Sequence, residues 1–344
     1  MNLNLLTDEQ VTNLRRLIAG AERIVTLTHM SADGDAVGSS LAWAGFLAQI
    51  GKSATVVVPD LYPDFLKWLP GTQNVVRADK HEAEVAKLIK EANLVFCLDF
   101  NVPSRVGDFL SKLLLSTEAK RVLIDHHLGP DVPADIEVSY PEVSSTSEMV
   151  FRIIWQLGGY EGITMQTAQC VYCGMMTDTG GFTFASTRPE IFFIISQLLA
   201  KGIDKDKIYR NVYHTFSENR LRLQGYVLYQ KLNVLTPLRA SYYALSKNDL
   251  RRFNYIKGDG EGLVNLPLQI KGLRLSISLR EDTEKPNLVW VSLRSVDDFP
   301  CNEMAARFFN GGGHKNASGG RLYCSLKDAE TIVRNAVKAY ADML

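Results

Sequence analysis

Short apolar runs recur along the first half of the chain, each followed by a longer stretch in which apolar residues return every three or four positions. "RIVTLT" (23–28) reads as a buried strand, and Ala36 to Ile50 as a helix with Leu41, Gly45 and Ala48 on one side and Gly51 just past its end. "SATVVV" (53–58), "NLVFCL" (93–98) and "RVLI" (121–124) are further β-branched or apolar runs separated by helix-length segments. Strands that alternate with helices predict parallel βαβ units and a doubly wound sheet, with ligands at the carboxyl ends of its strands.

From about Asp206 to Leu232 the pattern is helical and free of proline, with Ile208, Val212, Tyr213 and Phe216, then Leu221, Leu228 and Leu232. Beyond it the texture changes to period two. Leu273, Leu275, Ile277 and Leu279 share one face of "LRLSISLR" (273–280), Val289, Val291 and Leu293 one face of "LVWVSLRS" (288–295), and the turn-rich "EDTEKPN" joins them. Ser325 and Asp328 mark the start of a closing helix that carries Ile332, Val333, Ala336, Val337 and Tyr340. The expectation is an α/β protein: a doubly wound, mostly parallel sheet domain over 1–205, a helical linker over 206–234, and a smaller α/β domain with a mixed sheet over 235–344.

A chain of 344 residues exceeds the usual single core, which agrees with two domains, and its 46% hydrophobic content can fill both. Lys+Arg and Asp+Glu are both 38, so no global basic field exists to hold long nucleic acid. A small anionic substrate or a short oligonucleotide fits that balance. The N-terminus lacks a basic n-region, and no stretch approaches the ~18 consecutive apolar residues of a membrane span, so a cytoplasmic protein without a membrane partner is expected. Five cysteines, mostly within apolar runs, suit reduced thiols, and Cys170 and Cys173 read as two core positions one helical turn apart.

Every acidic or histidine cluster of the first half falls where a predicted strand ends. His29, Asp33 and Asp35 follow strand 23–28, Asp99 ends "NLVFCLD", and Asp125, His126 and His127 end "RVLIDHH". Asp178, in "GMMTDTGGF", follows an apolar helix and enters a glycine turn. Taken singly, each has an ordinary structural reading: "SADGD" is an Asx turn capping a helix, Asp99 a strand-end acid, Asp178 a helix-ending turn residue. Four clusters at one sheet edge are a different matter. Hard divalent ions that activate water at phosphate esters take several carboxylates and an imidazole each, and a shared carboxylate holds two of them roughly 3.5–4 Å apart. Gly34 removes bulk from the turn that carries Asp33 and Asp35, so the two carboxylates can address different metals, with Asp99 as the natural bridge. His81 and His214 read as incidental.

The second half offers "FFNGGGHKNASGG" (308–320). Successive glycines allow close approach, and exposed N–H groups in such a loop can cradle a phosphate. Neither a P-loop nor a dinucleotide fingerprint precedes it. With His314 and Lys315 inside the loop and Arg280 and Arg294 projecting from polar faces of nearby strands, it reads as an anion clamp.

The motifs "HMSADGD", "CLDF", "IDHH", "TDTGGF", "VSLRS" and "GGGHKNASGG", in this order along most of the chain, resemble the DHH phosphoesterases, named for a tripeptide present here as Asp125-His126-His127. The last two motifs are similar to the DHH-associated C-terminal domain, and the layout to the branch of oligoribonucleases (nanoRNases) that also act as phosphatases on adenosine 3′,5′-bisphosphate (pAp). The resemblance implies a site for two manganese ions, with magnesium or cobalt as substitutes. His29 and Asp33 would bind one ion and Asp35, His126 and Asp178 the other, with Asp99 bridging them. His127 would contact the scissile phosphate or help protonate the leaving group, and Asp125 would orient the histidines. Arg294, Gly313 and His314 would hold the far end of the substrate, while Arg280 matches no motif. Short RNA and nucleotides are the implied partners, and a homodimer is left open.

Manganese pyrophosphatases resemble the first-half motifs without the "GGGH" loop, and RecJ-type exonucleases are longer. Cyclic-dinucleotide phosphodiesterases with the same domain pair carry membrane and sensor segments, which leaves a phosphodiesterase acting on linear dinucleotides such as pApA or pGpG as the alternative. From another class, a nucleotide-binding regulator without turnover stands against a complete set of ligands.

Overall fold

The computed structural model describes residues 2–256 and 258–344, which divide into one unit running to Thr215 and a second from Phe216 to Leu344. The first unit contains α1 (Asp8–Gly20), β1 (Ile24–Leu27), α2 (Gly34–Gln49), β2 (Ala54–Val58), β3 (Val76–Arg77), α3 (Glu82–Glu91) and β4 (Leu94–Leu98). It continues with α4 (Gly107–Ser116), β5 (Lys120–Asp125), β6 (Ile136–Ser139), α5 (Thr146–Gln156), α6 (Met165–Asp178), α7 (Pro189–Ala200) and α8 (Lys205–Tyr213).

Its six strands are all parallel, in the order β3-β2-β1-β4-β5-β6. The inner strands are continuous apolar runs because both faces are covered. Leu94, Phe96 and Leu98 of β4 enter one core with Trp43 and Ile124, whereas Val95 and Cys97 enter the other with Val85 and Leu110. Strand order reverses between β1 and β4, so their connections leave in opposite directions and open a crevice at their carboxyl ends.

Helix α2 begins two residues before the expected Ala36 because Asp33 caps it, its Oδ1 accepting from the N–H groups of Asp35 and Ala36 at 3.0 Å each. Its first three turns are buried throughout, and its glycines form a seam against α6. A Cβ on Gly34 would come within 2.7 Å of Thr177 Cβ, one on Gly38 within 2.7 Å of the Cys170 carbonyl oxygen, and one on Gly45 within 2.6 Å of Thr167 Oγ1. These pairings run in opposite directions along the two helices, so the start of α2 lies beside the end of α6. Cys170 and Cys173 are buried free thiols on α6, as expected of core positions.

The stretch expected to run as one linker helix is interrupted. Helix α8 ends at Tyr213 and packs Ile208 and Val212 into the first unit, while α9 (Glu218–Tyr226), capped by Ser217, opens the second and continues as a π-turn over Val227–Lys231. The second unit then adds β7 (Asn233–Leu235), β8 (Ala240–Leu245), α10 (Lys247–Arg252), β9 (Leu275–Glu281) and β10 (Leu288–Ser295). It closes with α11 (Cys301–Phe308), β11 (Gly312–His314), β12 (Ala317–Tyr323) and α12 (Leu326–Ala339). The sheet order is β11-β12-β10-β9-β8-β7, with β8 and β9 parallel and the other pairs antiparallel. Ile277, Leu279, Val291 and Leu293 face Met304, Val333 and Val337 of α11 and α12.

The glycine-rich stretch is an antiparallel hairpin, β11 and β12, turning at Lys315-Asn316, rather than an open loop. Its glycines answer to packing: a Cβ on Gly320 would strike the Phe309 carbonyl oxygen, and one on Gly313, at φ 137°, would lie 2.7 Å from the Ala317 carbonyl oxygen. Among the described residues no helix is long and apolar enough to cross a membrane.

Candidate metal centre

The crevice between β1 and β4 collects the acids and histidines. His29 follows β1, and the first turn of α2 adds Asp33 and Asp35. Asp99 follows β4 at φ 66°, a left-handed conformation that aspartate tolerates better than most residues. Asp125 ends β5 and is followed by His126 and His127, while Asp178 closes α6, which the glycine seam delivers to the same place.

Asp99 is the common member. Its Oδ2 lies 3.4 Å from His29 Nε2, and its Oδ1 lies 3.5 Å from His126 Nε2. Around His29 Nε2 stands Asp33 Oδ2 at 4.0 Å; around His126 Nε2 stand Asp178 Oδ2 at 3.3 Å and Asp35 Oδ2 at 3.8 Å. His29, Asp33 and Asp99, and separately Asp35, Asp99 and His126, each bring ligand atoms within 4.8 Å of one another. Two sets of hard oxygen donors with one imidazole apiece, overlapping at one carboxylate, fit a pair of divalent ions.

Outer partners fix the rings. His29 Nδ1 donates to the Met30 carbonyl at 2.8 Å and His126 Nδ1 to the Val143 carbonyl at 3.2 Å, so in the neutral ring each Nε2 carries the lone pair, the tautomer a metal ligand needs. Asp125, fully buried, accepts from His127 Nδ1 at 2.7 Å and from the His127 N–H at 3.0 Å and so holds that ring, and Asp99, Asp125 and His127 also bring ligand atoms within 4.8 Å of one another.

Burial is the largest influence on His29, Asp35, Asp99, His126 and Asp178; the neighbours overcome it at His29, His126 and Asp99, and it prevails at Asp35 and Asp178. Against burial, Asp178, Asp99 and Asp35 raise His126 well above the usual imidazole range; Asp99 and Asp33 raise His29, opposed also by the Arg105 charge. Burial lifts Asp35 well above the usual carboxylate range, with Asp99 and Asp178 adding to it, and lifts Asp178 to about 7, with His126 partly offsetting. Asp99 goes the other way: despite burial, hydrogen bonds from His126 and His29 hold it well below the ordinary range. A cluster so crowded with negative charge draws in protons or cations.

Two contributors were not legible as such in the sequence. Residues 144–147 at the start of α5 donate the Thr146 N–H to Asp35 Oδ2 at 2.6 Å, the Ser147 N–H to Asp35 Oδ1 at 2.8 Å, and the Thr146 hydroxyl to Asp99 Oδ1 at 2.9 Å. Their signal was the capping pattern in "SSTSE" before an apolar run, since Ser145 Oγ accepts from the Glu148 N–H. Gly174 of α6 is the other: a Cβ there would lie 2.9 Å from Asp35 Oδ1.

In the second unit, His314 of β11 and Arg294 of β10 flank Ala317 of β12 in register, with Gly313 beside His314. Arg280 lies four positions along β9 from Ser276, the partner of Arg294, and its guanidinium sits 5.3 Å from the centre of the Tyr255 ring. Lys315, at the hairpin turn, donates to Asp298 Oδ1 at 2.7 Å, an exposed ion pair.

Residues 23–175 match the model of the DHH family, N-terminal domain. The chain is 30% identical over 301 residues, covering 87% of it and 84% of the relative, to the bifunctional oligoribonuclease and PAP phosphatase NrnA of Thermus thermophilus. It is 26% identical to the Bacillus subtilis protein of the same description, covering 94% of this chain and 96% of that one. The crystal structure of an exopolyphosphatase-related protein from Bacteroides fragilis matches at TM-score 0.94 and 46% identity, covering 99% of this chain and 98% of that chain.

Proposed function

The chain belongs to the DHH family of phosphoesterases, and from that premise we propose that it hydrolyses short oligoribonucleotides and releases phosphate from pAp with two manganese ions held in its first unit. The observation that carries the proposal is Asp99, whose two oxygens face two different clusters, 3.4 Å from His29 and 3.5 Å from His126. Divalent ions held there supply Lewis-acid charge toward a phosphate and lower the pKa of a bound water into the neutral range.

The chain's own groups have separable tasks. His29 and Asp33 would hold one cation, Asp35, His126 and Asp178 the other, and Asp99 would serve both. Asp125 keeps the His127 ring in place through Nδ1, at 2.7 Å, for contact with the scissile phosphate or proton transfer to the leaving oxygen. Buried surroundings strengthen these interactions by keeping bulk water from screening them. Arg294 and His314, on either side of Ala317 of β12, are assigned to the far phosphate or base of the substrate, with Gly313 shaping the backbone beside them; Lys315, committed to Asp298, has a peripheral part.

The test is a parallel assay with Mn²⁺ of pAp, pApA, pGpG and a longer RNA. Phosphate from pAp and mononucleotides from RNA dinucleotides, both faster than turnover of the longer strand, are expected. Equal rates at all lengths remove the short-substrate assignment, a preference for pGpG or pApA over pAp favours the linear-dinucleotide alternative, and no manganese-dependent product from any substrate refutes the proposal.

A further inference from the structure

Two carboxylates of the centre come from unrelated elements, Asp35 from the first turn of α2 and Asp99 from the loop after β4. One segment holds both. The Thr146 and Ser147 N–H groups at the start of α5 take the two oxygens of Asp35, and the Thr146 hydroxyl takes Asp99 Oδ1 at 2.9 Å. Thr146 is fully buried, and the segment is itself anchored: Glu148, also fully buried, accepts from the Ser144 N–H and hydroxyl and is paired with Arg152 at 3.2 Å and Arg188 at 3.1 Å.

Asp99 needs such a holder. It lies past the end of β4, its backbone N–H donating to the Ile124 carbonyl at 3.1 Å, and its carboxylate can still turn about its own side-chain bonds. For one oxygen to face His29 and the other His126, that rotation has to be fixed. A hydroxyl donor on Oδ1 does so at the cost of a single lone pair, and a carboxylate oxygen has another to offer. The backbone donors to Asp35 survive any side-chain change at 146, so the hydroxyl can be tested by itself.

We infer that Thr146 is a positioning residue of the two-cation centre, its hydroxyl setting the rotation of Asp99 so that each carboxylate oxygen serves a different cation. The inference rests on the two-cation reading above. Its test uses the full chain and Mn²⁺ alone, with free ion followed by electron paramagnetic resonance and the spin-coupled signature of a paired site recorded at low temperature. Thr146→Val, near in shape but without the donor, weakens uptake of the second ion by roughly tenfold or more and loses the coupled spectrum. Thr146→Ser, which keeps the hydroxyl, retains both. Thr146→Ala provides the same reading as Val should the latter fail to fold, and unfolding in EDTA separates a loss of structure from a loss of positioning. Either donor-free variant binding two coupled ions with wild-type affinity overturns the inference, as does a Ser variant that behaves like Val. Wild-type protein that takes up no Mn²⁺ defeats the two-cation reading itself, whereas an unchanged Val or Ala variant beside a manganese-loaded wild type defeats only the role of Thr146.

Discussion

Replacing Gly38 by alanine asks whether the closeness of two helices sets the geometry of the metal centre. The new Cβ would lie 2.7 Å from the Cys170 carbonyl oxygen and 3.0 and 3.1 Å from the N and Cα of Gly174. All three are backbone atoms of α6, so no side chain can rotate aside, and the helices have to part by roughly 0.5 Å to restore ordinary contact. Overpacking of this kind costs about 1–3 kcal/mol, and alanine recovers about 1 kcal/mol of helix propensity, leaving a net loss on the order of 1 kcal/mol. In a unit of this size that lowers Tm by roughly 2–4 °C. The effect on the site is larger. Asp35 rides on α2 and Asp178 on α6, so the displacement falls between groups assigned to the same cation, and misplacement approaching 1 Å can cost about 10²-fold in rate. Gly38→Ala is therefore expected to lose tenfold or more in kcat on pAp and to weaken Mn²⁺ binding in a titration. Gly225→Ala is the control: that glycine lies in α9, the Cβ that alanine would add meets nothing within 4 Å, and the change is expected to gain about 0.5–1 kcal/mol. Wild-type Tm, affinity and kcat in Gly38→Ala would show slack between the helices and break the link between their spacing and the site.

Asp99→Asn keeps the shape but removes the charge shared by His29 and His126, and activity on pAp and on dinucleotides is expected to fall to background; retained turnover in the same assays refutes the bridging role. The stability of metal-free protein is expected to decline as pH rises from the ordinary carboxylate range through the ordinary imidazole range and beyond it. His29 and His126, raised by their acidic neighbours, stabilise the fold below the ordinary imidazole pKa and lose that contribution as pH climbs through their folded values. Asp35 and Asp178, raised chiefly by burial, act in the same direction because the fold holds their protons more tightly than the unfolded chain does. Asp99, held low, bears on acid pH below its ordinary range and leaves this window untouched. Unfolding scans in EDTA and in Mn²⁺ should thus diverge with rising pH, and parallel curves would count against the cluster's charge balance. Arg294→Ala is expected to raise KM for pAp at least tenfold with a smaller change in kcat, while Lys315→Ala, losing only its exposed pair with Asp298, leaves both nearly unchanged. Equal effects of the two would remove Arg294 from substrate binding.

The doubly wound half was legible because burial on both faces writes itself as continuous apolar runs, and because such a sheet has a fixed place for its ligands. Asp99 and His126 could be placed at one edge from strand ends alone, and Asp178 from the end of the helix before its glycine turn. The second sheet was legible in part: β9 and β10 carry a clear period of two, whereas β7, β11 and β12 do not. Glycines that admit close packing look, in one dimension, like glycines that free a loop. The 206–232 stretch misleads for a related reason. Helical spacing continues across His214–Ser217, but Ser217 starts a new helix by accepting from the Arg220 N–H, and a cap breaks a helix without breaking its period. Residues 144–147 escaped notice because backbone N–H groups, which any residue supplies, do most of their work.

The local misfits are the more informative part of that comparison. Asp178 stands at the end of a helix, where its charge opposes the macrodipole, and Asp99 stands in a left-handed conformation; neither choice serves the element it belongs to. Asp33 shows that a residue can satisfy both demands at once. Its Oδ1 caps α2 through two N–H groups at 3.0 Å, while its Oδ2 faces His29 at 4.0 Å. On the proposed assignment, capping and cation binding would be one arrangement divided between two oxygens: the cap fixes the carboxylate plane, and the plane fixes where the second oxygen points. A substitution such as Asp33→Asn keeps an oxygen for the cap and gives up the charge, so it should leave stability in EDTA within about 1 kcal/mol of wild type while weakening Mn²⁺ uptake. A large loss of metal-free stability with unchanged uptake would mean that the cap alone accounts for the residue.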